Sequence, residues 1–378
     1  MQKENKPDES PDLEGSPREL FQHLKVEIED LGYVSQNFKG ERWTTMMAFS
    51  STNKIGGYIS VKNSYGVTIH QEGIEIFFKK PGKSFINDCV FARGHYYYYE
   101  WTSGIYKVSI KPKVTIRCMI PCHRLEPWGK SIRECLGRTA ILTRGNDQTA
   151  MAVMLNNKGE KTHMFKVKGV FKESDKILDL AVSDHRNGGI STLFTLGARG
   201  SLLIFVLSKN SKVLSRNISM IYGLNNEEHN NIGASGDGKY VIVKISGKFT
   251  IKILQIHHHR KAEFKAVLSP SLYKQAIYSL GFYPIRWIEG FGDAESSHLR
   301  VAYVVHQNGA QQGLIDFFVF NAETGKIRYL EHLNGKFELH EPYKTVFNHD
   351  GGNWVVTSGK DGRFGRARIV SDQKVFDD

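Results

Sequence analysis

From about residue 40 onward, short apolar or alternating runs recur along the chain, and Gly, Asn, Asp and Ser bound them. This is the punctuation of strands and turns. The runs group in threes and fours with a period of roughly 45 residues, the spacing of four-stranded propeller blades. The chain has 36 glycines and 11% aromatic residues, a composition that fits many short strands joined by turns. The pattern therefore predicts an all-β fold.

Seven groups of runs can be distinguished, six with four predicted strands and the last with three. They cover residues 44–78, 85–119, 131–167, 177–219, 230–268, 277–332 and 345–370. We therefore predict a seven-bladed β-propeller, and the irregular borders between the groups allow six to eight blades.

Three segments carry a resemblance to a known family. Residues 347–362, Phe-Asn-His-Asp-Gly-Gly-Asn-Trp-Val-Val-Thr-Ser-Gly-Lys-Asp-Gly, resemble the strand, Asp-Gly turn, apolar strand and second Asp-Gly turn of WD40 repeats. Residues 235–243, Ser-Gly-Asp-Gly-Lys-Tyr-Val-Ile-Val, repeat the first half of that pattern. Residues 318–328 look like the turn between the third and fourth strands of a blade.

The resemblance to the WD40 family covers about residues 41–370 and implies a WD40-like propeller. The Trp-Asp dipeptide of the family is absent, so the hydrogen-bond set of regular WD40 blades is mostly missing. In this family an N-terminal strand commonly completes the last blade and closes the ring, which hides the sheet edges. Residues 34–38, or the first strand of the first group, could serve here.

The N-terminal region differs from the rest of the chain. Residues 1–15 are polar and acidic, and we predict a disordered tail. Ser16 and Glu19 form a capping box around Pro17, so residues 16–32 are predicted to form a short amphipathic helix that packs against the propeller or binds a partner. Residues 33–378 form the predicted propeller domain. Ser10 and Ser16 each precede proline and are candidate phosphorylation sites.

Charge is unevenly distributed along the chain. Residues 1–32 contain four basic and nine acidic side chains, a net charge of −5, which leaves +17 for the remainder of a chain whose total is +12. A basic body favours acidic partners, namely RNA, DNA, phospholipid surfaces or acidic protein segments. The sequence begins with no apolar signal segment and contains no run long enough to span a bilayer. With only four cysteines, we expect reduced thiols and a location in the nucleus or cytoplasm.

Basic clusters are the candidate partner-binding residues. Lysines and arginines surround the last predicted turn and strand, and two more follow the triple histidine of residues 257–259. These candidates are Lys360, Arg363, Arg366, Arg368, Arg260 and Lys261. A further cluster comprises Lys107, Lys111, Lys113 and Arg117. Together they make one rim of the propeller a candidate surface for phosphate groups or an acidic protein.

Two other constellations support no site. Cys118, Cys122, His123 and Cys135 have donor types that suit zinc, but their spacing is poor and buried cysteine is often only a small apolar residue. We expect no metal and no cofactor. The run Tyr96–Tyr99 could stack on single-stranded RNA if its rings were exposed, but only alternate members share a face, and packing between blades is the favoured explanation.

The sequence contains no phosphate-binding loop, no nucleophile elbow and no metal-binding helix motif. We therefore predict a non-enzymatic interaction scaffold that organises a multiprotein, ribonucleoprotein or chromatin assembly. Its expected partners are protein subunits, with RNA or DNA as a further ligand of the basic surface. Two alternatives remain open, a substrate receptor for protein turnover and an enzyme with its site at the mouth of the propeller channel.

Overall fold

A computed structural model describes most of the predicted strands and few of the loops between them. The described residues are 24–33, 42–49, 54–61, 64–71, 74–79, 86–92, 95–100, 104–109, 115–121, 132–135, 138–144, 150–155, 161–166, 177–185, 190–197, 200–208, 213–221, 232–245, 250–258, 261–268, 277–283, 298–308, 312–330, 333, 335–340, 344–347, 354–358 and 363–371.

The described residues form seven antiparallel sheets, and most of these take four consecutive strands. The first three sheets contain β2 (Arg42–Phe49), β3 (Lys54–Val61), β4 (Ser64–Gln71) and β5 (Ile74–Lys79); β6 (Ile86–Ala92), β7 (His95–Glu100), β8 (Gly104–Ser109) and β9 (Thr115–Pro121); and β10 (Ile132–Cys135), β11 (Arg138–Arg144), β12 (Ala150–Leu155) and β13 (Lys161–Lys166).

The next three sheets follow the same up-and-down order. They contain β14 (Ile177–His185), β15 (Ile190–Gly197), β16 (Ser201–Ser208) and β17 (Val213–Met220); β18 (Ile232–Ala234), β19 (Tyr240–Ile245), β20 (Thr250–His257) and β21 (Lys261–Leu268); and β22 (Ile277–Tyr283), β23 (Leu299–Asn308), β24 (Gln312–Asn321) and β25 (Ile327–Tyr329), with β26 (Gly335–His340) also paired to β24.

The seventh sheet joins the two ends of the described chain. Its order is β1 (Leu24–Tyr33), β29 (Arg363–Ser371), β28 (Trp354–Ser358) and β27 (Lys344–Phe347). Each of the seven predicted groups of strands thus corresponds to one sheet. The prediction that an N-terminal strand completes the last group is also confirmed, since β1 pairs antiparallel with β29.

The structure corrects the identity of that strand. We predicted a helix over residues 16–32, and the closing strand was expected at residues 34–38 or in the first group. Residues 24–33 are instead strand β1, so the helix prediction is wrong for residues 24–32; residues 16–23, like the predicted tail at 1–15, lie outside the described residues. The segment Leu-Lys-Val-Glu-Ile-Glu alternates apolar and charged residues with the period of a strand. The segment forms a strand by pairing with β29, which lies more than 300 residues away in the sequence.

The first strands of the sheets contact one another in sequence. β2 contacts β6, β6 contacts β10, and the series continues through β14, β18 and β22 to β27, which contacts β2 again. Gly233 on β18 shows how close this approach is. A Cβ atom at that position would lie 2.5 Å from the Cα of Gly281 on β22, so the two strands can meet only where neither carries a side chain.

The core lies between successive sheets. On one face of β19, Val241 and Val243 pack in a cluster with Phe194, Leu202 and other residues of the β14–β17 sheet. On the opposite face, Ile242 packs in a cluster with Ala302, Phe318 and other residues of the β22–β25 sheet. Because successive side chains of a strand point to opposite faces, a continuous apolar run such as Tyr240–Val243 serves two interfaces at once.

Candidate interaction surfaces

Strand β17 exposes apolar side chains on the outside of its sheet. Leu214, Ile218 and Met220 are 55%, 48% and 50% exposed, and the exposed Arg216 lies among them. The other side chains of β17 are partly or fully buried. Three large apolar residues on one exposed row are unusual for a monomeric surface and are typical of an interaction site.

The equivalent strand of the next sheet, β21, exposes charged side chains. Lys261 was predicted as a partner-binding residue, and it is exposed, but its Nζ lies 2.6 Å from Oε1 of Glu263. His257 Nε2 lies 3.1 Å from the other oxygen of that carboxylate. The hydrogen bond and charge of Lys261, followed by the charge of His257, lower the pKa of Glu263. Arg260 and His259 lie outside the described residues.

The register places the predicted basic residues of the last strand opposite residues of β1. The register of β1 and β29 places Arg368 opposite Glu27 and Arg366 opposite Glu29, while Arg363 lies opposite Tyr33. Residues directly opposite on paired strands have neighbouring Cβ atoms. Two of the candidate arginines are therefore cross-strand partners of glutamates in the register. Lys360, like Ser10 and Ser16, lies outside the described residues.

A second basic pair lies on the sheet of β6–β9. Lys107 on β8 and Arg117 on β9 are cross-strand partners. Burial, and then the charge of Arg117, lower the pKa of Lys107. Burial and the charge of Lys107 likewise lower the pKa of His95. Like charges directly opposite on a sheet repel each other, and this repulsion is part of the cause of the lowered pKa of Lys107.

The tyrosine run does not form an exposed platform at the two positions whose side chains are described. Tyr97 and Tyr98 are both 2% exposed, and burial raises the pKa of Tyr97. Tyr98 stacks on Tyr106 of β8 at a centroid distance of 5.0 Å. These rings act in packing, so they leave no face open for a nucleic-acid base.

A partly buried ion pair joins the β18–β21 and β22–β25 sheets. Asp237 lies in the turn between β18 and β19, within the WD40-like segment, and Arg300 lies on β23. Arg300 Nη2 donates to Oδ2 of Asp237 at 2.6 Å. The Ser235 hydroxyl (2.6 Å) and the Lys239 backbone N–H (3.1 Å) both donate to Oδ1 of the same carboxylate. Arg300 also lies over the ring of Tyr240, with its Cζ 5.8 Å from the centroid.

Opposing effects act on the pKa of Asp237. Burial raises it, but the charge of Arg300 and the hydrogen bonds from Ser235, Arg300 and the Lys239 backbone together hold it below its ordinary value. The carboxylate is therefore ionised at neutral pH. The sequence resemblance located the turn, but it gave no sign that Arg300, 63 residues away, completes the pair.

A second polar group lies buried on the β22–β25 sheet. His306 Nε2 is 2.9 Å from Oδ2 of Asp316, and the Tyr329 hydroxyl donates to Oδ1 at 3.2 Å. His306 and Asp316 are 8% and 5% exposed. A histidine and a carboxylate could support acid–base chemistry, but a substrate would have to reach them. Their burial makes this trio a structural element of the sheet.

The residues considered and rejected as a zinc site lie on two different sheets where they are described. Cys118 is exposed on β9, the last strand of its sheet, whereas Cys135 belongs to β10, the first strand of the next sheet. Cys122 and His123 lie outside the described residues. In the described part of the chain, no three His, Cys, Asp or Glu residues form a group that could hold a metal ion. None of those residues lies in a helix long and apolar enough to cross a membrane.

Comparison with known proteins identifies the architecture. No protein-family model matches the chain, and no curated protein matches it in sequence. Solved structures do. A virginiamycin B lyase from Staphylococcus aureus is 12% identical with a TM-score of 0.57, over 91% of this chain and 99% of the lyase. The β-propeller domain of Cps50 (Swd1) from Myceliophteria thermophila is 9% identical with a TM-score of 0.53, over 89% and 98% of the two chains.

The chain has a β-propeller fold. A protein from Lactobacillus plantarum is also similar, at 10% identity and a TM-score of 0.53, over 83% of this chain and all of that one. At such identities the likeness concerns the fold alone. Because the similar structures include both a lyase and a WD40-type propeller domain, the fold does not assign an activity. An activity can be inferred only from the residues of this chain.

Proposed function

We propose that this chain is a non-enzymatic, WD40-like propeller of seven blades that acts as a scaffold for other proteins. The series of contacts from β2 round to β27 and back to β2 supports a single closed ring of seven sheets. The observation that carries the scaffold function is the exposed apolar row of β17. The polar pairs Asp237–Arg300 and His306–Asp316 are instead largely shielded from solvent, and they stabilise the fold.

The scaffold proposal predicts stable protein complexes in the native cell. The tagged full-length chain should elute from size exclusion well above its monomer mass of 42.9 kDa, with partner proteins in stoichiometric amounts. The nucleus and the cytoplasm are the compartments in which we expect these complexes. A chain that runs as a free monomer in native extracts, with no partner in stoichiometric amount, would contradict the proposal.

RNA or DNA is a second candidate ligand, favoured by the cross-strand pair of Lys107 and Arg117. Binding of random-sequence RNA or duplex DNA should weaken steeply with salt, because each neutralised phosphate releases counterions. Arg117→Gln should lower the salt slope by about one. Arg328→Gln on β25 is the matched control, and it should have less effect because this exposed arginine lies on another sheet, outside the pair. No binding at low salt, or equal effects of the two changes, would remove nucleic acid from the proposal.

A further inference from the structure

One edge of strand β17 pairs with no other strand in the described part of the chain. β17 is the last strand of its sheet and pairs with β16 on its other side. The Ile221 backbone N–H donates to the Gly200 carbonyl at 2.7 Å, so the ladder with β16 includes that pair. In an antiparallel ladder, alternate residues bond to the partner strand. It follows that the backbone groups of Arg216, Ile218 and Met220 point away from β16.

The same residues present the exposed side chains. Arg216, Ile218 and Met220 lie opposite Phe205, Leu203 and Ser201 of β16, so they occupy one face of the sheet in regular alternation. Leu214 lies beyond an irregularity in the register, between Val213 and Ser215. An extended segment added to this edge would gain backbone hydrogen bonds and, on the exposed face, apolar neighbours. Such strand addition is a recurrent mode of peptide recognition.

The charge of the surrounding sequence indicates what kind of partner segment would bind. Between Asp184 and Glu227 the sequence contains five arginines and lysines and no acidic residue. This stretch spans three of the four strands of the sheet, β15, β16 and β17. The exposed Arg216 forms no ion pair with any residue that the structure describes. An acidic segment therefore complements both the sheet and the middle of the exposed row.

Building on the scaffold function proposed above, we propose that β17 binds an extended, acidic segment of a partner protein, which adds to the sheet as a fifth strand. The segment carries a carboxylate opposite Arg216 and apolar side chains at the alternate positions opposite Ile218 and Met220. Backbone pairing supplies the binding mode, and the alternating side chains supply the specificity.

Strand β21 provides an internal contrast. It occupies the same last position in the neighbouring sheet, but it exposes Lys261 and Glu263 as an ion pair. Charged side chains on an edge are a common means by which proteins prevent unwanted strand pairing. The exposed row of β17 has one charged side chain, Arg216, among three apolar ones, so it is less protected than β21 and fits an edge that pairs with a partner of opposite charge.

The test uses the full-length chain and defined synthetic peptides. In the first peptide, threonine occupies every second position, and valine, isoleucine, glutamate and valine occupy the positions between. The second peptide has lysine in place of glutamate. Each peptide is also made with its sequence reversed, because the added strand could run in either direction. Fluorescence anisotropy measures affinity, and amide hydrogen exchange locates the bound strand. We expect the glutamate peptide to bind and to increase protection of the amides in β17.

Two substitutions separate side-chain recognition from backbone pairing. Arg216→Glu should weaken binding of the glutamate peptide on the order of 10-fold, and it should reverse the preference toward the lysine peptide. Ile218→Pro removes an N–H that points away from β16, so it should abolish binding, whereas Ile218→Thr keeps that N–H and should weaken binding less. Arg328→Glu on β25, an exposed arginine on another sheet, is the matched surface control and should change neither affinity.

Thermal unfolding checks that each variant is folded, and the charge reversal remains decisive if Ile218→Pro fails to fold. The proposal would be overturned if the glutamate peptide did not bind, if another strand became protected, or if Arg216→Glu left the preference between the peptides unchanged. The scaffold function is tested separately. Native complexes that persist in Arg216→Glu and Ile218→Thr would leave a scaffold whose partners do not use β17.

Discussion

The two faces of the β18–β21 sheet are built differently. The face toward β14–β17 is an apolar cluster that includes Phe194, Leu202 and Val241. The face toward β22–β25 is also apolar at its centre, but it carries the partly buried pair of Asp237 and Arg300. An apolar interface is favourable in any arrangement that buries the same area, because burial is non-directional. A hydrogen-bonded ion pair is favourable in one arrangement only, so it fixes how the two sheets meet.

The largest difference between the faces should appear when the apolar cluster is truncated. Phe194 is fully buried, and Phe194→Ala should lower the free energy of unfolding by about 3–5 kcal/mol through lost burial and the cavity that remains. Denaturant titration measures this, and the loss should not depend on pH. A loss below about 1 kcal/mol would show that this face contributes little to stability.

The polar face should respond to the loss of one charge. Arg300→Met leaves the Asp237 carboxylate partly buried without its cation, and such a change costs about 3 kcal/mol, at the lower end of the usual range, because Asp237 is 21% exposed. The double variant Arg300→Met with Asp237→Asn removes the uncompensated charge. It should recover part of that stability. A double variant no more stable than the single one would contradict an ion pair as the cause.

Acid should weaken the polar face and leave the apolar face unchanged. The pKa of Asp237 is lower in the folded chain than in the unfolded chain, so the unfolded chain takes up a proton more readily. The contribution of the pair is present above the ordinary pKa of aspartate and is lost as the pH falls through the folded value. Unfolding between about pH 7 and pH 3 should show a smaller loss for Asp237→Asn than for the unmodified chain. Parallel curves would contradict this assignment.

The smallest effect is expected at Ser235, which supports the pair from within the turn. Its hydroxyl donates to Asp237 and accepts the Tyr240 backbone N–H at 3.0 Å. Ser235→Ala leaves both partners short of one hydrogen bond and should cost about 1–2 kcal/mol. Ser235→Thr keeps the hydroxyl and is the conservative control. Denaturant titration of the two variants distinguishes loss of the hydrogen bonds from a change in packing.

Much of the fold followed from the sequence because its period is local. Alternation and turn residues located all the strands of the seven sheets except β1 and β26, and each predicted group corresponds to one sheet. The one large error, the helix over residues 16–32, arose where a capping signal at Ser16 competed with the alternation of Leu24, Val26 and Ile28. Pairing with β29 decided in favour of the strand. A strand needs a partner for its backbone groups, and no local pattern names that partner.

The candidate sites were predictable to a lesser degree. Basic residues were recognised from composition, but the carboxylates opposite Arg366 and Arg368 come from the other end of the chain. The apolar residues of β17 were recognised as a strand, yet nothing in their order distinguishes an exposed row from a buried one. The exposed row could be identified only from the structure, which places β16 on one side of β17 and no described strand on the other.

The sequence by itself determined the strand type of most segments and their division into seven groups, because strand periodicity and turn chemistry act between residues that are near in the chain. Tertiary structure alone decided which strand completes the last sheet, which charges are paired and which apolar row is exposed. Those outcomes depend on contacts between distant segments, such as Asp237 with Arg300 and β1 with β29. Their free energies arise from burial and from cross-strand neighbours, and these exist only once the sheets have assembled.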